Sequence, residues 1–126
     1  MKIKDHIEKS RRIERSSGKF SQDTDYEMFI ESCMLAGTHL LNAVLHSSGI
    51  TSEHHDLLHS DKPALATAVP VRVTEMMQRL KQIEDLRSGY LRGKNPWQPS
   101  HGDLCVRNMR FLRGCADQLL NKEVTS

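Results

Sequence analysis

The sequence has little of what marks secreted, membrane or strand-rich proteins. Aromatic residues make up 5% of its 126 residues, and no segment alternates apolar and polar side chains over several positions, which argues against a β-sheet. We find no apolar run of the length expected for a membrane span. Lys2, Lys4 and Asp5 interrupt any signal-peptide pattern. These absences predict a soluble, cytoplasmic protein without strands.

Cysteine is also scarce, and its spacing points away from redox or metal chemistry. Three cysteines cannot all pair within one chain, and none belongs to a Cys-x-x-Cys arrangement. A reducing compartment is the simplest inference. Cys33 and Cys115 fall on apolar helical stripes, where a thiol behaves as a small hydrophobic group rather than as a nucleophile.

Several motifs that would assign an enzyme class are absent. The chain has no glycine-rich phosphate loop, no Gly-x-Ser-x-Gly turn, no His-Glu-x-x-His element and no repeated Glu-x-x-His element. We therefore predict no cofactor and no metal, and we favour a protein that is not an enzyme.

Positive charge is concentrated in the first 20 residues. Seven basic and three acidic side chains give that segment +4, which leaves −2 for the rest of a chain with a total charge of +2. We predict a partly helical basic arm over residues 1–20 and one helical-bundle domain over residues 21–126. The arm is either a soluble lead-in or a phosphate-binding segment. The same two interpretations apply to Arg107, Arg110 and Arg113 on the last predicted helix.

Helical periodicity is strongest over residues 26–48. Apolar side chains cover one broad face of this helix, and the opposite face is half apolar and half polar, with Leu35 among its members. A helix with two faces to bury lies in the centre of a bundle or at a subunit interface. Further helices are predicted over residues 71–91 and from about residue 100, with Trp97 covering one end of the core. The fold class is all-α, an up-and-down bundle of about four to five helices.

Three polar residues lie on otherwise apolar helical stripes. Glu84, Arg87 and Asn108 can form an internal ion pair with an amide that fixes the register of the last two helices, since a buried charge is tolerated only when it is paired. Alternatively, they line a ligand-binding pocket in which Arg87 holds an anionic group and Tyr90 donates a hydroxyl.

Histidines form a second group of candidate residues. His39 and His46 lie two turns apart on the back of the central helix, with Asn42 between them. They either hydrogen-bond across a partly wet interface or act as acid and base, together with His59, in a groove between two subunits. His54, His55 and His59 form a cluster in the following connection, and its spacing leaves metal binding there open.

Three segments resemble the HEPN superfamily of small helical bundles. They are the end of the central helix, LLNAVLHSSGI, the histidine-bearing connection with LLHSDKP, and the long helix that ends in IEDLRSGYLRG. The resemblance spans roughly residues 26–120. It implies a homodimer that cleaves RNA, partners a nucleotidyltransferase or serves as a binding module.

The sequence lacks the signature of the family's nucleases, an arginine followed after four to six residues by a histidine. The nearest approach, Arg92 to His101, is too wide and is interrupted by Pro96 and Pro99. We therefore expect a dimeric interaction module that binds RNA, a nucleotide or a partner protein in a groove between helices. The alternatives are a ribonuclease or other phosphoryl-transfer enzyme that uses histidine acid/base catalysis, and a structural subunit without a small-molecule site.

Overall fold

Four helices make up the regular structure of the residues that the structure describes. The computed structural model describes residues 1–58 and 69–125, with side chains up to residue 121. The helices are α1 (Ile3–Ser17), α2 (Tyr26–Ser47), α3 (Val71–Tyr90) and α4 (Pro99–Thr125). No strand occurs in the described ranges. The predicted all-α bundle is therefore confirmed.

Consecutive helices are antiparallel, so the bundle has an up-and-down topology. His6 near the start of α1 meets His39 in the second half of α2. Arg87 near the end of α3 pairs with Glu31 near the start of α2, and Tyr90 at the end of α3 meets a side chain in the first turn of α4.

Helix α2 is the centre of the bundle and packs against the other three helices. Helices α3 and α4 cover its predicted apolar face, and α1 covers much of the opposite face, so both faces are largely buried. Gly37 allows the close approach, since a Cβ atom there would lie 2.7 Å from Leu80 Cδ1 and 3.1 Å from Leu112 Cδ1. By length and composition alone α2 could also cross a membrane, but it is mostly buried here, as in the core helix of a soluble protein.

Helix α1 is packed more firmly than its composition suggests. The basic arm, predicted to be partly helical, contains a 15-residue helix that lies along α2. Its buried side chains are polar, namely His6 and Ser10. These two residues lie at helical spacing on the same face as Ile3 and Ile7. A search for apolar residues alone does not find this buried face, because half of it is polar.

The two ends of α2 differ in how far the sequence indicates them. Thr24 and Glu27 have the spacing of a capping box, but Asp25 is the N-terminal cap residue of α2 and its side chain makes no cap hydrogen bond. The spacing is therefore misleading at this end. Gly49 follows α2 with a φ of 74°, the left-handed conformation expected of a glycine that ends a helix.

Candidate functional site

The predicted set of Glu84, Arg87 and Asn108 is divided between two places. Asn108 is buried and joins α3 to α4, because its Nδ2 donates to Arg79 O at 3.1 Å and to Gln82 Oε1 at 2.9 Å. Arg79 Nη1 in turn donates to Asn108 Oδ1 at 3.0 Å. The amide therefore links the last two helices, as one interpretation predicted, but through Arg79 and Gln82.

Arg87 pairs with the central helix instead of with Asn108. Its Nη2 donates to Glu31 Oε1 at 3.3 Å, and its Nε lies 2.9 Å from Glu31 Oε2, so the two side chains form an ion pair. Both side chains are largely buried, with 17% and 26% of their surface exposed. Glu84 lies outside this pair.

Tyr90 belongs to an aromatic cluster that closes one end of the core. Its hydroxyl lies 2.5 Å from His101 Nδ1, and its ring meets Trp97 edge to face at 5.0 Å. Trp97 stacks on Tyr26 with the ring centroids 4.8 Å apart. Trp97 thus packs against the core as predicted, and the Tyr90 hydroxyl is engaged there instead of beside Arg87.

The candidate histidines of α2 join a polar cluster with residues from two other segments. We call it the histidine cluster, and it consists of His6, His39, His46, Thr51 and Asp56. His6 Nε2 and His46 Nε2 lie 2.9 Å and 2.8 Å from Asp56 Oδ1. His6 Nδ1 lies 2.9 Å from His39 Nδ1, and His46 Nδ1 lies 2.8 Å from Thr51 Oγ1.

Burial sets the protonation of the histidine cluster. Desolvation is the largest cause that lowers the pKa of His6, and it also lowers the pKa of His39. Desolvation acts to raise the pKa of Asp56, but hydrogen bonds from His46, His6 and the amino group of the first residue outweigh it and lower the pKa to about 2. His6 and His39 are therefore neutral imidazoles beside the Asp56 carboxylate near neutral pH.

Asn42 holds the connection that carries Asp56. Its Nδ2 donates to Leu57 O at 3.0 Å, and Leu57 N donates to Asn42 Oδ1 at 2.7 Å. His39, Asn42 and His46 thus lie together as the sequence suggested, but they bind within their own chain. His59 lies outside the described residues.

The sequence alone did not place His6 or Asp56 with the histidines of α2. His6 has a signal in the sequence, since it lies on the buried stripe of α1, whereas no local pattern marks Asp56. His54 and His55 are exposed and lie outside the histidine cluster.

A groove runs between α1 and α4. Both helices pack on α2, while their described backbones stay apart from each other and are bridged by the Arg113 side chain, so the side of α2 between them forms a floor. We call this the α1–α4 groove, and its inner part has a volume of about 250 Å³. Its lining is mainly apolar, contributed by Phe29, Cys33, Ala36, Val106 and Met109, with polar side chains at the edges from Glu14, Ser17, Ser32, Arg110 and Arg113.

The outer part of the α1–α4 groove is strongly charged. This cleft of about 420 Å³ is lined by Arg11, Glu14, Arg15, Arg113 and Asp117. Arg113 Nη2 pairs with Glu14 Oε2 at 2.7 Å and also donates to Ser10 Oγ at 3.3 Å. The exposed arginines of the groove are Arg11, Arg15 and Arg110. Within residues 1–58 and 69–121 none of these three forms an ion pair.

Comparisons with protein-family models, curated proteins and solved structures give no match. The groove and the histidine cluster therefore carry the functional argument. The groove offers an apolar floor beside cationic side chains. The histidine cluster, near the start of α1, offers ring nitrogens and a carboxylate.

Proposed function

We propose that this chain is a HEPN-like interaction module that binds a nucleotide unit, free or within single-stranded RNA, in the α1–α4 groove. The observation that carries the proposal is the apolar floor beside arginines for which the described part of the chain offers no acidic partner. An aromatic base can lie on an apolar surface, and guanidinium groups bind phosphate through two parallel hydrogen bonds. The resemblance of three segments to the HEPN superfamily supports the same class of function.

The charges of the groove favour an anionic ligand. Four arginines line its two parts against the carboxylates of Glu14 and Asp117. Arg113 is held by Glu14, so Arg11, Arg15 and Arg110 are the residues that can bind phosphate. The inner volume is slightly below the 300–1,000 Å³ of typical small-molecule pockets, and the outer cleft extends it.

Binding can be measured with a fluorescein-labelled single-stranded RNA of mixed sequence, by anisotropy at several salt concentrations. We expect the double variant Arg15→Gln, Arg110→Gln to bind roughly 100-fold more weakly, at about 1.5 kcal/mol per charged hydrogen bond. A plot of the logarithm of the association constant against the logarithm of the salt concentration should become less steep by about 1.4, or 0.7 for each phosphate that is no longer neutralised. Competition by AMP would show that one nucleotide unit suffices.

A matched control separates the groove from general charge. Arg92→Gln, Lys94→Gln removes the same charge from exposed residues of the α3–α4 connection, and we expect RNA affinity and salt slope to stay near the wild-type values. Equal weakening in both double variants would place binding outside the groove. RNA that fails to bind the wild type would remove the proposal.

A ribonuclease is the second candidate, because the histidine cluster holds groups of the kind that act as acid and base. Its geometry is unfavourable, since the side chains of His6 and His46 are 1% and 0% exposed and a general base must reach the proton it takes. Incubation of total RNA with the wild type and with His46→Ala tests this alternative. We expect intact RNA with both proteins; cleavage by the wild type alone, with His46→Ala still folded, would favour the enzyme.

Homodimer formation is part of the proposal. Met28 and Leu35 lie two turns apart on one face of α2 and remain 56% and 43% exposed, although α2 is otherwise the core of the bundle. A second copy of the chain would bury them. Sedimentation of the wild type and of Leu35→Lys should show a dimer and a monomer, respectively, and a wild type that is monomeric at high concentration would contradict this.

A further inference from the structure

We propose that His6, His46 and Asp56 form a binding site for one divalent transition metal ion of the zinc class. The site would use two imidazole nitrogens and one carboxylate oxygen of the protein. It lies at the opposite end of α1 from the inner α1–α4 groove, so it is independent of the nucleotide-binding proposal.

The ligand atoms already converge. The three candidate atoms lie within 4.8 Å of one another, with both Nε2 atoms directed at Asp56 Oδ1. Zn–N bonds of about 2.0–2.1 Å in a tetrahedral site imply ligand atoms roughly 3.3 Å apart. An ion would therefore require the two Nε2–Oδ1 distances to lengthen by about half an ångström, and the Asp56 side chain, 33% exposed, can turn outward by that much while Asn42 holds the backbone next to it.

The other ring nitrogen of each histidine has a partner that suits a metal ligand. Metal-binding histidines generally hydrogen-bond through their second nitrogen, which fixes the ring and its tautomer. His46 Nδ1 lies beside the hydroxyl and the carbonyl oxygen of Thr51, and His6 Nδ1 lies beside His39 Nδ1. Each partner can accept a hydrogen bond from Nδ1–H, so both Nε2 atoms can carry the lone pair that a metal needs once the metal replaces their hydrogen bonds to Asp56.

The donor set selects the class of ion. Two imidazoles and one carboxylate suit zinc and its neighbours, whereas calcium and magnesium prefer oxygen ligands alone. His6 and His46 close the inner side, and the partly exposed Asp56 marks the side from which an ion enters. The amino group of Met1 also lies there, 3.2 Å from Asp56 Oδ1, so an ion would compete with this contact. Three protein ligands leave at least one position for water or another ligand.

Cobalt(II) is the probe for the experiment, since its visible absorption reports both binding and coordination geometry. Protein without a histidine tag is freed of metal with a chelator and titrated with Co²⁺, and then with Zn²⁺ by calorimetry. We expect one ion per chain, a cobalt spectrum of four- or five-coordinate type and its displacement by zinc. Bound zinc should also raise the melting temperature, because it binds the folded chain.

Variants locate the site. Asp56→Asn alters the most exposed ligand and should weaken zinc binding by more than the 10–100-fold that changes in outer-sphere partners cause, whereas His39→Ala should fall within that range. His55→Gln removes an exposed histidine next to Asp56 and serves as the matched control. Helicity by circular dichroism without metal shows that each variant is folded.

Three results would overturn the proposal. They are a wild type that binds no cobalt or zinc, a folded Asp56→Asn variant that binds as well as the wild type, and a His55→Gln variant that loses binding as Asp56→Asn does. RNA binding by the wild type is measured separately with and without zinc, so failure of the metal site leaves the nucleotide proposal standing, and the reverse also holds.

Discussion

Replacement of Arg87 by leucine should destabilise the fold and leave ligand binding unchanged. Its guanidinium makes two contacts to the Glu31 carboxylate, at 2.9 Å and 3.3 Å, and joins α3 to the start of α2. The variant Arg87→Leu leaves the Glu31 carboxylate in a largely buried position with its described cationic partner removed. Arg87 does not line the α1–α4 groove.

The size of the effect follows from burial. Breaking a fully buried ion pair costs about 3–5 kcal/mol, and exposed pairs contribute about 0–1 kcal/mol. With exposures of 17% and 26%, we expect a loss of about 2 kcal/mol. For a domain of this size that corresponds to a fall in melting temperature of roughly 6–8 °C.

Urea unfolding of the wild type, Arg87→Leu, Glu31→Gln and the double variant gives a double-mutant cycle, which measures the coupling between the two side chains. We expect the double variant to lose less than the sum of the single losses, with a coupling of about 1 kcal/mol, because the second change removes a charge already left unpaired. Anisotropy with labelled RNA should give wild-type affinity in all three. Unchanged stability together with weaker RNA binding would refute the reasoning and place Arg87 in a ligand pocket.

Three further outcomes can be measured on the purified protein. Asn108→Leu should lower the free energy of unfolding by about 1–3 kcal/mol in urea, because it leaves hydrogen-bonding groups of Arg79 and Gln82 without their partner. Stability of the metal-free protein should fall as the pH drops through 6.5, since the folded-state pKa of His6 is lowered and the unfolded chain takes up the proton first; urea midpoints at pH 7.5 and 5.5 check this, and His6→Gln should reduce the difference. A further loss should follow below pH 3.8, where Asp56 has its folded-state pKa lowered to about 2. Cys105 and Cys115, which are buried and lie outside the α1–α4 groove, should react with a thiol reagent only as fast as the protein opens, and rapid reaction of both in the absence of denaturant would contradict their burial.

The sequence predicted the bundle and its central helix because these depend on local periodicity. Over residues 26–48 apolar side chains recur on two faces, and a helix of this kind needs neighbours on both sides. The boundaries of α3 and α4 followed from proline, glycine and the same periodicity. The docking of α1 did not, since its buried side chains include His6 and Ser10, which are polar and are tolerated inside only when they find hydrogen-bond partners.

Partner choice was harder to predict than burial. The stripe positions of Glu84, Arg87 and Asn108 implied paired groups, and Arg87 and Asn108 are indeed paired. Their partners are Glu31 on another helix and two residues of α3, and no spacing within one segment indicates a partner that is tens of residues away. For the same reason the sequence indicated His39 and His46 as polar residues in need of partners but did not place His6 and Asp56 beside them.

The sequence alone determined that the chain forms an antiparallel helical bundle around residues 26–48, because helix formation and amphipathic burial are encoded by neighbouring residues. Only the tertiary structure decided that α1 lies against α2, that three separate segments bring His6, His46 and Asp56 to one point, and that a groove opens between α1 and α4. The contacts of Asp56 with His46 and His6 join residues that are 10 and 50 positions apart in the chain. The Glu14–Arg113 pair joins residues that are 99 positions apart. Such contacts are fixed by how whole helices pack, and no local pattern records them.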